Sequence, residues 1–390
     1  MKHSTERILT THCGSLPRPA DLLAVMRDKE NGRPYNKAAF DSRAREAVQD
    51  AVRHQCDIGV DIPSDGEQSK SGFGSYQAER FAGFTPADPQ PPPPGRHSPE
   101  IDEYSDYYAR YFATAMEGAR LAPVLTMICT APVKYVGQAV LRQDIANLKA
   151  GLAGQRYEEA FVPSADPLTF ADRQNEYYRT QEEYVEACIE ATREEYKAIV
   201  EAGFILQVDD PALGTSLWGF RDLPDDERRK KVDERVEQIN HALRGLPEDR
   251  IRYHSCYSIN QGPSVYNMQL REWAGIALRV NAQAFAFEVM NPRHMHDYHT
   301  FEGLKLPEGQ IIVPGMISHG HNWVEHPQLI AELTVNYAKL VGRENVHIGA
   351  DCGFASQAGA HEVDPKVVWA KFQALVEGAR LATKQLWGRA

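Results

Sequence analysis

The sequence is short of positive charge, long apolar runs and cysteine, and each shortage excludes a class of protein. It carries 43 Lys and Arg against 54 Asp and Glu, a formal net charge of −11, and it has no basic run. Such a chain is not expected to bind the phosphate backbone of a nucleic acid. No apolar run reaches the roughly 18 residues that a membrane helix needs, and the first residues lack the apolar segment of a secretory signal. We therefore expect a cytoplasmic protein that contacts neither nucleic acid nor membrane.

Only six cysteines are spread over 390 residues, which does not match the dense disulfide framework of a small secreted domain. In a reducing compartment, metal-binding or catalytic roles become better explanations for some of them. The cysteines are Cys13, Cys56, Cys129, Cys188, Cys256 and Cys352.

Short apolar runs rich in Val and Ile alternate with helical patterns, which is typical of a parallel α/β sheet. Eight such units close a (β/α)8 TIM barrel, so we predict one barrel domain over residues 1–390. An open doubly wound sheet is the alternative. The barrel is favoured because several runs end in polar residues, where barrel enzymes place their chemistry. The runs lie at residues 7–13, 60–65, 123–128, 204–209, 252–256, 284–288, 310–315 and 346–350.

Helical patterns fill the intervals at residues 36–55, 138–152, 172–202 and 225–244. The second strand is followed by a polar and Pro-rich insertion at about residues 66–118. Its first part, residues 66–83, is rich in glycine and predicts a loop over the site. The next part, residues 84–99, contains four consecutive prolines and predicts an extended surface excursion that cannot be helical.

His254 and Cys256 are two residues apart in the fifth predicted strand. Side chains alternate across a strand, so both point to the same face. An imidazole and a thiolate side by side are half of a zinc site. The alternative is a half-buried histidine beside a cysteine that only packs, since free cysteine is among the most buried residue types.

Two further donors stand at the carboxyl ends of other predicted strands. Glu288 ends the sixth strand, and Cys352 follows the eighth in a glycine-containing turn. With His254 and Cys256 they supply the nitrogen, sulfur and oxygen ligands that zinc accepts, all at one barrel mouth. Alternatively, Glu288 forms a buried ion pair with Arg293, and Cys352 is an ordinary turn residue.

Taken together, these motifs resemble the cobalamin-independent methionine synthases, namely their catalytic carboxyl-terminal barrel and short single-barrel relatives. The resemblance covers nearly the whole chain. The motifs that carry it are Gly14-Ser15-Leu16-Pro17, Asp65-Gly66-Glu67, Gln207-Val208-Asp209-Asp210-Pro211-Ala212, His254-Ser255-Cys256, Glu288 and Asp351-Cys352-Gly353.

The resemblance implies a Zn²⁺ ion held by His254, Cys256, Glu288 and Cys352. Coordination to zinc deprotonates a thiol that is mostly protonated at neutral pH. The implied activity is a methyltransferase that passes a methyl group from a donor such as methyltetrahydrofolate to the thiolate of homocysteine, giving methionine.

The resemblance also implies contacts to the substrate. Ser15, Glu67 and Asp209 would grip the amino-acid part of homocysteine, because two carboxylates suit an ammonium and a hydroxyl suits a carboxylate. Alternatively, Asp209 caps a helix ahead of Pro211 and Glu67 is a solvated loop charge. A histidine after the seventh strand would protonate the leaving group, and either His319 or His321 fits, with His319 preferred.

Several alternatives stay open. The chain is one barrel long, whereas the full-length synthases carry a second, amino-terminal barrel, which weakens the case for a folate polyglutamate donor. Short relatives resemble alkyltransferases that use coenzyme M and epoxides, or that take methyl groups from a corrinoid partner protein. A non-catalytic zinc-binding barrel and a homo-oligomer are further alternatives. The pair His294 and His296 predicts either a second metal site or residues that only support the first one.

Overall fold

The computed structural model describes residues 1–87, 99–116, 121–122, 126–214, 223–257, 261–360 and 362–388. Within them, seven parallel strands form one sheet in the order β1-β9-β8-β7-β6-β5-β4, and β2 pairs with β3 in a separate antiparallel ribbon. The strands are β1 (Leu9–Thr10), β2 (Phe81–Ala87), β3 (Thr126–Tyr135), β4 (Phe161–Ala165), β5 (Ile205–Asp209), β6 (Ile251–Ser255), β7 (Ala284–Phe287), β8 (Ile311–Ile317) and β9 (His347–Ala350).

Residues 60–63 fill the gap between the two edge strands of this sheet. The amide of Ile62 donates to the carbonyl of Thr10 in β1 at 3.0 Å, and the amide of Phe161 in β4 donates to the carbonyl of Pro63 at 3.1 Å. The side chain of Asp61 accepts the amide of Thr10 at 2.8 Å in place of a backbone carbonyl. The segment therefore occupies the position of the second predicted strand, and the (β/α)8 barrel is confirmed.

The prediction for the third barrel strand is wrong. Residues 126–128 belong to β3, which pairs with β2 outside the barrel, and residues 123–125 lie outside the described part of the chain. The third barrel position is taken by β4, whose five residues are all buried. Pro163 stands in the middle of β4, and a proline normally argues against a central strand because it has no N–H to donate. Its neighbours supply enough ladder bonds for β4 to pair with β5.

The helices return the chain from one strand to the next, and four of them match the predicted helical patterns. α2, α6 and α9 agree closely, whereas α8 starts nine residues later than predicted, where Thr180 caps it by accepting the amide of Glu183 at 3.2 Å. No helix in the described ranges combines the length and the apolar character that crossing a membrane requires. The helices are α1 (Ala20–Glu30), α2 (Lys37–Ile58), α3 (Tyr76–Arg80), α4 (Pro99–Glu103), α5 (Ser105–Tyr111), α6 (Gln138–Leu152), α7 (Leu168–Ala171), α8 (Gln181–Glu201), α9 (Asp225–Leu243), α10 (Leu270–Ala277), α11 (Thr300–Gly303), α12 (Pro327–Val341) and α13 (Pro365–Trp387).

The insertion after residues 60–63 lies against the carboxyl end of the barrel. It holds α3, α4, α5 and the ribbon of β2 and β3, and the four prolines at residues 91–94 fall outside the described residues. In α5, the hydroxyl of Tyr107 donates to the carbonyl of Gln261 and that of Tyr111 to the carboxylate of Glu362. These partners follow β6 and β9, so α5 braces two of the loops at the barrel mouth.

Alternation along β6 sets which side chains enter the barrel. Arg252 and His254 point inward, and Arg252 donates to Thr11 Oγ1 at 2.8 Å and stacks over the ring of Phe161. Tyr253 points outward, where its hydroxyl donates to Asp210 Oδ2 at 2.7 Å. The two-residue period predicted for this strand is therefore observed.

We expect Gly315→Ala to destabilise the fold by about 1–3 kcal/mol. A Cβ at this position in β8 would lie 2.5 Å from the Cα and 2.6 Å from the N of Asp351, where backbone cannot give way. The free energy of unfolding in urea measures the effect. Gly275→Ala is the control, because its Cβ would meet only Leu304 Cδ1 at 3.6 Å inside α10 and alanine favours a helix by up to about 1 kcal/mol. Equal stability of the two variants would contradict the crowding argument.

Candidate active site

The four predicted metal ligands come together in one cluster, in which Cys352 is partly exposed and the other three are buried. The ligand atoms of His254, Cys256 and Cys352 all lie within 4.8 Å of one another, and so do those of Glu288, His319 and Cys352. Because Cys352 belongs to both groups, the five residues form a single set of donors, called here the donor cluster. Its members come from the ends of β6, β7, β8 and β9, which are neighbours in the sheet.

Asp351 ties two sides of the donor cluster to each other. Its Oδ1 accepts the amides of Val289 at 2.8 Å and Met290 at 3.0 Å. These bonds lock the segment that follows Glu288 onto the residue that precedes Cys352. The motif Asp351-Cys352-Gly353 does not by itself indicate this role, since only the fold brings the carboxylate of Asp351 to two amides 62 and 61 residues away.

A carboxylate orients the imidazole of His254. Its Nδ1 donates to Asp209 Oδ1 at 2.8 Å, and Gln207 Nε2 donates to the same oxygen at 2.7 Å. Nε2 faces the donor cluster, where it lies 3.3 Å from the backbone carbonyl oxygen of Asp351. A histidine that binds a metal through one ring nitrogen usually donates the other to a carboxylate. Asp209 does not cap a helix, since the neighbouring Asp210 accepts the amides of Ala212 and Leu213.

The electrostatics of the donor cluster favour a cation. Burial raises the pKa of Glu288, and the nearby Cys256 and Asp351 raise it further. A hydrogen bond with Cys256 and burial also raise the pKa of Cys352. Burial lowers the pKa of His254, but Cys13 and Asp209 outweigh it, and the pKa lies above its ordinary value. The raised pKa of His254 reflects negative surroundings, and a positive charge placed there would stabilise the ionised forms of Glu288 and Cys352.

Arg293 does not supply that charge. Its guanidinium donates to the carbonyls of Ser264 and Val265, at 3.1 Å each. Among the described residues, His319 is the basic side chain beside Glu288, with its Nε2 3.9 Å from Glu288 Oε1, but its lowered pKa leaves the imidazole uncharged at neutral pH. Two thiols, an imidazole and a carboxylate in a buried pocket are a donor set that fits zinc.

A cavity of about 310 Å³ opens directly onto the donor cluster. Its wall includes three of the donors, and it also includes Ser15, Glu67 and Asp209, the residues predicted to contact the substrate. The lining residues are Cys13, Ser15, Glu67, Phe73, Asp209, Asp210, Pro211, His254, Cys256, Cys352, Gly353, Phe354, Ala355, Ser356, Gln357, Ala360 and Glu362.

Glu67 is a buried residue and not a solvated loop charge. Its backbone has φ +54°, a conformation that non-glycine residues rarely adopt. Gly14 makes room for it, because a Cβ at Gly14 would lie 2.6 Å from Glu67 Oε1. Gly353 makes the same kind of room for Ser15, whose Oγ accepts the amide of Ala355 at 3.3 Å. Gly14 and Gly353 therefore allow the side chains of Glu67 and Ser15 to pack closely against the backbone at the cavity.

Of the two candidate acids, the fold brings His319 to the donor cluster. It is buried, and burial together with His254 lowers its pKa to about 3. His321 lies instead beside Glu325, with 3.8 Å between Nε2 and Oε1, and neither histidine is part of the cavity wall.

His294 and His296 do not pair as a metal site. His294 stacks on Tyr257 with ring centroids 4.1 Å apart and donates from Nδ1 to Asp297 at 2.8 Å, whereas His296 is exposed. His294 thus supports the residue that follows Cys256.

No family model matches the chain. A methionine synthase of Saccharolobus islandicus is 26% identical over 387 residues, 97% of this chain and 95% of that protein. The methionine synthase of Saccharolobus solfataricus is 25% identical over 386 residues, with the same coverage. A solved B12-independent methionine synthase from Shewanella sp. W3-18-1, in complex with selenomethionine, shares the fold with a TM-score of 0.69 at 18% identity, covering 98% of this chain and all of that one.

Over almost its whole length the chain is similar to proteins named methionine synthase, and it shares the fold of a solved B12-independent methionine synthase. The resemblance inferred from the motifs is thereby confirmed over almost the whole length of the chain.

Cys13 is a cavity residue that the motif comparison with this family did not single out. It precedes Gly14-Ser15 directly, its thiol donates to the carbonyl of Ala350 at 3.0 Å, and it contacts His254. Its position next to the Gly14-Ser15 motif is the only indication in the sequence that Cys13 lies at the site, and a buried cysteine more often has a packing role alone.

We expect Asp209→Asn to weaken zinc affinity roughly 10–100-fold, because the amide does not fix the proton of His254 on Nδ1 as a carboxylate does. Competition with a chromophoric chelator measures the affinity. Glu67→Gln is the matched control, since Glu67 lines the same cavity without bonding to His254 and should keep wild-type affinity. Equal affinities in all three proteins would contradict the assigned role of Asp209.

Proposed function

We propose that this protein is a zinc-dependent methyltransferase that transfers a methyl group to the sulfur of homocysteine and releases methionine. The observation that carries the proposal is the shared cavity, in which soft metal donors face two carboxylates suited to an ammonium group. The identity of its relatives as methionine synthases supports the same activity.

His254, Cys256, Glu288 and Cys352 would hold the zinc ion. Their buried acidic groups fit a divalent cation, and their chemistry is that of zinc ligands. When bound there, zinc supplies a positive centre at which a thiol loses its proton at neutral pH. Asp209 holds His254 in the required tautomer, and Asp351 holds the backbones that carry Glu288 and Cys352.

The amino-acid part of homocysteine would bind across the cavity from the donor cluster. The carboxylates of Glu67 and Asp209 suit its ammonium, and the Ser15 hydroxyl suits its carboxylate. Binding at both ends orients the thiol toward the donor cluster, and such orientation lowers the barrier of a two-substrate reaction.

In the transfer, the substrate sulfur bonds to the methyl carbon while the bond from that carbon to the donor breaks. The leaving atom of the donor keeps the electron pair; a folate nitrogen then takes up a proton, whereas the cobalt of a corrinoid does not. For a folate donor, His319 is placed to pass on that proton, because it lies at the donor cluster beside Glu288. Its lowered pKa leaves it neutral at rest, so it would carry the proton only during the transfer. A folate and a corrinoid partner protein both remain candidates for the donor.

We expect Cys256→Ser to lose both bound zinc and turnover, because it removes one of the thiolates that hold the ion. Zinc content by mass spectrometry and methionine formation measure the two losses. Cys56→Ser, which removes a thiol in α2 away from the cavity, should retain both. A metal-free variant with full activity would rule out the proposal.

X-ray absorption of the zinc protein distinguishes the remaining alternatives. Homocysteine should add one sulfur to the coordination shell. A sulfur gained from coenzyme M but not from homocysteine would favour the coenzyme M alkyltransferases, and a shell that no thiol changes would favour a non-catalytic zinc barrel.

We expect His319→Gln to lower kcat roughly 100- to 10,000-fold, the usual contribution of a general acid, while zinc content and homocysteine affinity persist. His321→Gln is the matched variant and should stay close to wild type, since His321 lies beside Glu325 and is not a member of the donor cluster. A larger loss of kcat in His321→Gln than in His319→Gln would identify His321 as the general acid.

A further inference from the structure

We propose that Arg18 is the positioning residue that shapes the cavity to recognise the amino-acid part of the thiol substrate. The inference rests on the proposed function, and it concerns a residue that touches neither the donor cluster nor the cavity itself.

Arg18 joins two of the loops that form the cavity wall. Nη1 donates to the carbonyl of Ala355 at 2.8 Å, and Nη2 donates to the carbonyl of Glu67 at 2.8 Å. The side chain is only 4% exposed, so these bonds are shielded from water. One planar guanidinium therefore sets the distance between the loop after residues 60–63 and the loop after β9.

The hydrogen bond from Arg18 Nη2 stabilises the backbone conformation of Glu67. A φ of +54° is unfavourable for a residue with a Cβ, and it persists only where surrounding contacts enforce it. The amide of Glu67 donates to Asp65 Oδ1 at 2.9 Å, and its carbonyl is held by Arg18. Together these bonds fix both peptide groups of Glu67 and so direct its carboxylate into the cavity.

The hydrogen bond from Arg18 Nη1 positions Ser15 indirectly, through Ala355. Arg18 holds the carbonyl of Ala355, and the amide of Ala355 donates to Ser15 Oγ at 3.3 Å. Ser15 and Glu67 are the groups proposed for the carboxylate and the ammonium of homocysteine. Arg18 therefore sets the spacing of the two ends of the recognition site without touching the substrate.

The chemistry of arginine is required for this task. Burial lowers the pKa of Arg18 to about 10, while Glu67 and Asp65 oppose that effect, so the side chain stays charged at neutral pH. Its Nε is buried and has no hydrogen-bond partner among the described residues, which is unfavourable. Lysine would avoid that cost, but its single ammonium cannot span two carbonyls as the guanidinium fork does.

The test compares two thiols on the zinc-loaded protein. Homocysteine carries the amino and carboxylate groups, and 1-propanethiol lacks both. Titration calorimetry of the wild type, Arg18→Lys and Arg18→Met gives the two dissociation constants. We expect the dissociation constant for homocysteine to rise about tenfold or more in both variants. The constant for 1-propanethiol and the zinc content should stay within about twofold of wild type, a range of some 0.4 kcal/mol.

A structural role for Arg18 would weaken both thiols equally or release zinc, and this result would overturn the inference, as would unchanged homocysteine binding. Arg18→Lys keeps the test open if Arg18→Met does not fold. The double variant Arg18→Lys, Glu67→Gln adds a second check, because Arg18→Lys should weaken homocysteine binding less in the Glu67→Gln background than in the wild type, where it acts through both Glu67 and Ser15. Wild-type protein that does not favour homocysteine over 1-propanethiol would instead contradict the proposed function.

Discussion

The site depends on one electrostatic constraint, which is that acidic groups are buried together at the mouth of the barrel. Glu288, Cys256, Cys352 and Asp351 approach one another where water cannot screen them. Burying an unpaired charge is unfavourable by several kcal/mol in order of magnitude, so these groups stay protonated or surround a cation. A divalent ion would resolve the conflict for Glu288, Cys256 and Cys352, because these donors would then deprotonate and bind it. The barrel supplies the stability that holds these donors close together.

Backbone geometry explains how the residues of the donor cluster, which are distant in sequence, come close together. Parallel strands place the residues after β6, β7, β8 and β9 at one edge of the sheet. The absence of a side chain at Gly315 lets Asp351 pack against β8, and Asp351 then holds two amides after Glu288. The imidazole of His254 and the carbonyl of Asp351, 97 residues apart in sequence, approach to 3.3 Å as a result. Small residues and backbone bonds therefore set the geometry that the ligands use.

The sequence predicted what depends on local pattern and missed what depends on long-range contacts. The period of β6 was enough to place His254 beside Cys256, and the strand ends were enough to add Glu288 and Cys352. The strand β4 was missed because Pro163 lowers its strand signal, although tertiary packing overrides that preference. The roles of Arg18 and Asp351 could not be predicted, because each acts through backbone groups that only the folded barrel brings near.

Asp209 links the two halves of the site. Its Oδ1 accepts the hydrogen bond from His254 Nδ1, and the same side chain lines the cavity where a substrate ammonium would bind. An ammonium drawing on this carboxylate would weaken its pull on the imidazole proton, and the basicity of Nε2 toward a metal would fall with it. Glu67 has no such bond to a donor, so the two carboxylates are not equivalent even though both face the cavity. Occupation of the recognition site would therefore change the electron density at the donor cluster through Asp209, while Glu67 contributes binding alone.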